Sequence, residues 1–243
     1  MSVPFVGQKI IHLESVESTN PYLLNEFKNG RVSSGTVLHA DIQTKGRGQR
    51  MKEWHSEPFA NLMLSIAADL NLWKIQNIIS LNHIVAVSIQ EFLKRYVNDV
   101  KVKWPNDIMV NDKKMVGILI ENQLSSSQRR SVIGIGVNIN QQEFNAPRAT
   151  SLSLETGKFF KIQELIFELI AVLNKNLNDF QQKGEAYYFQ LFNENLWKLN
   201  ETHPFIIDDK TIEGQIVSSD LEGQLQVSLN GEIVDISNGQ VKY

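Results

Sequence analysis

Apolar and polar positions alternate through Lys9-Ile10-Ile11-His12-Leu13, the two-residue period of a half-buried strand. A helix follows. Asn20 suits its N-cap, Pro21 its first turn, and Gly30 stands where a left-handed terminator belongs. Residues 36–40 and 61–67 read as further strands, separated by a polar stretch over 41–59 that is long for a connection in a compact domain. Between 76 and 96, Ile79, Val85, Ile89, Phe92 and Leu93 recur at helical spacing, which predicts a long core helix ended by Asn98-Asp99. Strand-like segments then come at 100–104, 108–110, 115–121 and 131–137, with Asn111-Asp112 as a turn. A second helical period covers 162–177, and a shorter helix lies near 186–196. Beyond Asn200, short β-rich runs alternate with turn signals at Asp208-Asp209, Glu222-Gly223 and Asn230-Gly231, the pattern of a small all-β barrel. The expectation is an α+β protein: residues 1–200 form a mixed sheet flanked by helices, and residues 201–243 a small β-domain. Ser125-Ser126-Ser127 reads as a flexible loop tip.

Composition narrows the chemistry more than the fold. A hydrophobic fraction of 42% and a charged fraction of 21% over 243 residues are those of an ordinary globular protein. The net charge of -3 offers no global attraction to nucleic acid, so any basic function is local. With no cysteine, disulfides, thiolate metal sites and thiol nucleophiles are excluded together. Residues 1–10 lack the charged-then-apolar pattern of a secretory leader, and no apolar run approaches the ~18 residues that span a bilayer. A cytoplasmic protein that contacts neither membrane nor DNA is expected.

Two segments carry candidate chemistry. In Gly46-Arg47-Gly48-Gln49-Arg50, small residues let backbone amides approach an anion while guanidinium groups neutralise it. Its spacing is neither a Walker loop nor a Rossmann fingerprint, and by itself it reads equally well as solvated surface. In Lys103-Trp104-Pro105-Asn106-Asp107, proline breaks a strand and exposes an amide and a carboxylate at its end; Asp107 suits Mg²⁺, a cation that prefers oxygen. The plain alternative is a strand-ending turn with Trp104 in the core. Lys114, close before Gly117, is a solvated strand charge or, beside a glycine that admits a ligand to the backbone, a partner for an acyl or phosphate oxygen.

Together and in this order, these segments resemble the catalytic domain of biotin protein ligases. Glu17-Ser18-Thr19-Asn20 resembles the family's biotin-side strand-to-helix turn. Gln43 with Gly46-Arg47-Gly48 and Trp54 resembles its adenylate loop, and Lys103 to Asp107 with Lys114, Gly117 and Glu121 its most recognisable motif. Gly134-Ile135-Gly136-Val137-Asn138 resembles its Gly-x-Gly-x-Asn strand, so the likeness spans roughly residues 10–140. It implies a class II synthetase-like catalytic domain followed by an SH3-like barrel. The implied reaction consumes ATP with Mg²⁺, activates biotin as biotinyl-5′-adenylate, and biotinylates a lysine on the carrier domain of a biotin-dependent carboxylase. Ser18, Thr19, Asn20, Gln43, Gly46 and Gly117 are then expected on the biotin side, and Gly48, Arg50, Trp54, Asn106 and Asn138 on the nucleotide side. Asp107 would meet the metal, while Arg47 and Lys114 face both the biotin carboxylate and the α-phosphate as the catalytic cations. The physics agrees, because two anions approach one another only where fixed cations screen them.

Departures and alternatives bear on this reading. Many members carry an arginine where this chain has Gln49, and several a glycine where it has Met51, which bears on phosphate holding rather than on reaction class. The five histidines, His12, His39, His55, His83 and His203, show no metal-ligand spacing, and a catalytic role for His39 is not expected. A lipoate ligase or octanoyl transferase, a biotin-sensing regulator with an N-terminal DNA-binding domain, and an inactive binding module are the competing readings. Strand-like sequence from Lys9 leaves no room for a helix-turn-helix before it. Whether the chain acts as a monomer or a homodimer is open at this stage.

Overall fold

The computed structural model describes residues 5–125, 128–207 and 210–243. Ser126 and Ser127 of the serine loop, and the Asp208-Asp209 turn signal, lie outside the described residues, as does the Met51 side chain. A seven-stranded sheet has the order β1-β2-β3-β7-β6-β5-β4. Its strands are β1 (Ile10–Val16), β2 (Val37–Gln43), β3 (Leu62–Asp69), β4 (Val100–Lys103), β5 (Asp107–Val110), β6 (Lys113–Leu124) and β7 (Arg129–Val137). Only β1 and β2 pair in parallel, around helix α1 (Thr19–Lys28); the remaining pairs are antiparallel, so the sheet is mixed as expected.

The two faces of this sheet are covered differently. On one face Leu23 and Phe27 of α1 pack with Leu38, Ala67 and Val132. On the other lie α2 (Ile78–Leu93) and α4 (Ile162–Glu194), which bury Leu81, Phe92, Leu169 and Tyr188 against the strands. Burying each such side chain stabilises the fold by ~1.5–3 kcal/mol, and this face holds most of the core. A short α3 (Leu152–Thr156) precedes α4.

A second sheet, of five antiparallel strands, is formed by β8 (Thr202–Ile207), β9 (Lys210–Ser219), β10 (Leu225–Leu229), β11 (Glu232–Ile236) and β12 (Val241–Lys242). Asn230 and Gly231 both take positive φ, 53° and 88°, in the β10–β11 hairpin that their dipeptide predicts. Phe205, Ile216, Leu225 and Val227 join the main core, so the small sheet is anchored to the rest of the chain.

Two local expectations are corrected and one is met. Helix α1 starts at Thr19 with Ser18 as its N-cap; Asn20 lies inside the helix and spends its side chain on the sheet. The two helices expected at 162–177 and 186–196 are both present within the Ile162–Glu194 span, the first running longer than expected, and they part where Gly184 takes the non-helical φ 80°, ψ -179°. The stretch 41–59 is not structureless: β2 continues to Gln43, and residues 46–54 fold back as a tight hairpin.

Candidate active site

The N-terminus of α1 points at the end of β2. Ser18 supplies no side-chain cap; instead the Gln43 side-chain carbonyl accepts from the Thr19 amide at 2.8 Å and the Thr19 hydroxyl at 3.0 Å. A strand residue thus satisfies the helix's first free donor. Asn20 Nδ2 donates to the Leu119 carbonyl and to Glu121 Oε2, both at 3.0 Å. Ser65 Oγ stands 2.8 Å from Thr19 Oγ1 and 2.5 Å from Asn20 Oδ1, with one proton to give to either. Buried and mutually satisfied, this polar cluster holds its side chains in fixed orientations.

Beside it lies the hairpin. The Trp54 amide donates to Gly46 O at 3.0 Å and the Gly48 amide to Lys52 O at 2.7 Å, with a 3₁₀ turn at Gln49–Met51. Gly46 is required: a Cβ there would lie 2.3 Å from the Trp54 carbonyl. The hairpin lays the Trp54 indole on Gly117 of β6 and Gly136 of β7, which face one another in register. Added Cβ atoms would meet the ring at 2.8 Å and 2.7 Å, so only glycines leave room for it. Two residues along β7, a Cβ at Gly134 would be 2.5 Å from Asn20 Oδ1. Trp54 Nε1 is buried and has no hydrogen-bond partner among the described residues.

Beyond the indole the site becomes cationic. Lys114 Nζ is 2.7 Å from Asp107 Oδ1, a close ion pair rather than an aligned hydrogen bond, and 5.5 Å from the Trp54 ring centre. Asn106 Nδ2 donates to Ile118 O at 2.6 Å and Ile118 N to Asn106 O at 2.9 Å, which locks the Trp104-to-Asp107 turn onto β6. Lys103 lies over the Trp197 and Tyr243 rings at 5.1 and 4.8 Å and donates to the main-chain oxygen of Tyr243 at 2.6 Å. Burial pushes the Lys103 pKa down, with Lys114, Arg148 and Lys52 acting in the same direction and Asp107 against it. A wall comes from the second sheet: Tyr243 Oη donates to Trp104 O at 2.9 Å and Asn238 Nδ2 to Gln49 Oε1 at 3.0 Å, while Arg50 hydrogen-bonds the Asn238 carbonyl.

These walls enclose a cavity of about 540 Å³, within the range of small-molecule sites. Of the residues expected to touch biotin, nucleotide or metal, Gly46 and Asn138 do not line it, and all the others do. Gly46 shapes the hairpin from behind, and Asn138 is buried, donating to Thr150 O at 3.0 Å. Sequence reasoning missed Ser65, Lys103, Gln49 as a contact of the second sheet, and the Asn238-to-Tyr243 wall. Lys103 stood in a quoted motif and Ser65 in an apolar run; the C-terminal residues carried no signal. His39 is buried on β2 away from the cavity, its pKa lowered by burial and then by His12, and burial pushes the His83 pKa down to about 4.

Comparisons with known proteins agree with one another. The family model described as Biotin/lipoate A/B protein ligase family matches residues 12–138. Bifunctional ligase/repressor BirA of Bacillus spizizenii is 33% identical over 186 residues, which cover 74% of this chain and 57% of that protein. BirA of Escherichia coli is 30% identical over 250 residues, 97% of this chain and 74% of that one, so the chain spans part of these relatives' length. Biotin protein ligase from Aquifex aeolicus, solved in complex with biotin and ATP, superimposes with a TM-score of 0.80 at 29% identity, covering 97% of this chain and 98% of that one.

Proposed function

Because the chain belongs to the biotin/lipoate A/B protein ligase family, we propose that it joins biotin to ATP as biotinyl-5′-adenylate and then passes the biotinyl group to a lysine of a biotin carboxyl carrier domain. The observation that carries this reading is a single cavity with an uncharged hydrogen-bonding end at Ser18, Thr19 and Gln43 and a cationic end at Arg47, Lys103 and Lys114. Biotin offers the matching chemistry: a neutral ureido ring at one end and a carboxylate at the other. The first end asks for donors and acceptors already oriented, which the Thr19–Gln43–Ser65 cluster supplies. The second brings a carboxylate oxygen up to the α-phosphorus of ATP, where the new P–O bond forms as pyrophosphate leaves. Arg47, exposed on the hairpin, and Lys114 then screen two approaching anions. In the second step a neutral lysine amine attacks the acyl carbon, the acyl–oxygen bond breaks and AMP departs. No nucleophile from the chain is required.

Mg²⁺ fits the cationic end. Asp107 Oδ1 is buried with no aligned hydrogen-bond donor among the described residues, its one close partner being the Lys114 ammonium that Mg²⁺ would displace toward the substrate anions, and Mg²⁺ is commonly held by one or two carboxylates together with substrate phosphates. Asp107 would hold the ion, which would neutralise phosphate charge.

The deciding experiment incubates the protein with biotin, Mg²⁺, ATP and an isolated carrier domain, and reads the carrier by mass spectrometry. Gain of one biotinyl group that requires ATP is expected. Gain from lipoate and not from biotin would move the chain to the lipoate branch of the family.

A further inference from the structure

His12 and His39 are 27 positions apart in the chain (39 minus 12), yet they are register partners across the parallel β1–β2 pair. Their imidazoles stack with centroids 4.6 Å apart and planes 18° from parallel. Asp41, two residues along β2, falls on the same side of the strand as His39, and its Oδ2 stands 2.7 Å from His12 Nε2. One ligand-type atom from each of the three lies within 4.8 Å of the others. None of the three lines the cavity described above.

We propose that His12, His39 and Asp41 bind one divalent first-row transition-metal ion, of the Zn²⁺ class. Zn²⁺ takes imidazole nitrogen and carboxylate oxygen at ~2.0–2.2 Å, which sets neighbouring ligand atoms roughly 3–3.5 Å apart. The His12–Asp41 spacing of 2.7 Å lies just under that range and the other spacings are no more than 4.8 Å, and His12 and Asp41, with side chains 46% and 30% exposed, have the freedom to adjust. His39 is buried, and no described residue hydrogen-bonds its ring, so it stands as the preset ligand. Backbone geometry fixes the site from both sides. The β1–β2 ladder holds the register, and Asp41 O accepts from the Phe59 amide at 3.0 Å. Two imidazoles and one carboxylate select Zn²⁺, Co²⁺ or Ni²⁺ over Mg²⁺, which prefers all-oxygen surroundings, so this site differs in chemistry as well as place from Asp107. Three protein ligands leave a coordination position to water. Binding would staple β1, the edge strand, to β2.

The test uses the full chain without a histidine tag, stripped with chelator and titrated with Zn²⁺ against a chromogenic competitor. We expect one ion per chain, unaffected by millimolar Mg²⁺, with His12→Ala and Asp41→Asn each weakening binding by roughly tenfold or more. Both positions are partly exposed, so these variants keep the fold even if His39→Ala does not. Biotin-dependent exchange of pyrophosphate into ATP should be unchanged in both. Failure of the wild type to take up Zn²⁺, or equal affinity in wild type and both variants, overturns the proposal and leaves an ordinary His–Asp hydrogen bond.

Discussion

Replacing Lys114 with alanine separates what this residue does for stability from what it does for chemistry. Its ammonium is 2.7 Å from Asp107 Oδ1, with side chains 37% and 21% exposed. The bare Coulomb energy at that distance is roughly 6 kcal/mol at an effective dielectric of about 20 and about 1.5 kcal/mol in water. Desolvation and side-chain entropy offset most of it, and measured pairs with this much solvent contact return ~0.2–1 kcal/mol. The variant should therefore lose at most about 1 kcal/mol of stability, ~2–4 °C in Tm for a chain of this size. Catalysis should suffer far more. A fixed charge aimed at oxygens that become more negative in the transition state is worth ~3–4 kcal/mol, or about 10²–10³ in rate. Biotin-dependent exchange of pyrophosphate into ATP reads the adenylation step, and urea unfolding reads the fold. Lys114→Arg, which keeps the charge, should recover part of the rate. Near wild-type exchange in Lys114→Ala, or a rate loss no larger than the loss of folded protein, would refute the role.

Three further outcomes follow from the geometry. Gly117→Ala and Gly136→Ala both intrude on the same Trp54 ring, so each should weaken biotin binding while the double variant falls short of the summed losses by ~1 kcal/mol or more, measured by calorimetry; strict additivity would mean the two methyls do not share that target. His83 is 3% exposed and its folded pKa is about 4, below the unfolded 6.5, so the unfolded state binds the proton first. Stability owed to this residue is then full above pH 6.5, falls as pH drops from 6.5 toward 4, and is constant below, a loss of roughly 3 kcal/mol that should vanish from the urea midpoints of His83→Gln. Tyr243→Phe removes the hydroxyl that holds the Trp104 carbonyl and with it the turn carrying Asn106 and Asp107; KM for ATP should rise while biotin affinity stays within about twofold, since one hydrogen bond is worth ~1 kcal/mol and the biotin end rests on other elements. A parallel fall in biotin affinity would show that the turn supports the whole cavity.

The local conformational preferences were legible because their causes are local. Period-two runs gave strands near their observed places, and Asn230-Gly231 its hairpin, since a positive φ at both positions is a property of those residues alone. The two helical periods after residue 162 were legible for the same local reason, and the break between them falls at Gly184, whose positive φ needs no distant partner. Where the reading failed, a distant partner had intervened. Asn20 is a good cap in isolation, but sheet groups at Leu119 and Glu121 claim its amide, and Gln43 from another strand caps the helix instead. The stretch 41–59 read only as a long polar connection because the order of its 46–54 hairpin comes from backbone pairing and from the seat of Trp54 on two glycines far along the chain.

By itself, the sequence determined the class of fold, the absence of thiol chemistry and the segments from which the candidate site is built, because each depends on residue type and short-range spacing. Tertiary structure alone decided which members of those segments meet. It set Gly117 against Gly136 under an indole, left Asn138 outside the cavity, and brought the Asn238-to-Tyr243 wall to Gln49 and Lys103. It also placed His12 beside His39, a pair that no spacing within the chain suggests. Register across a sheet is settled by the summed burial of whole faces, a long-range quantity that no single segment encodes.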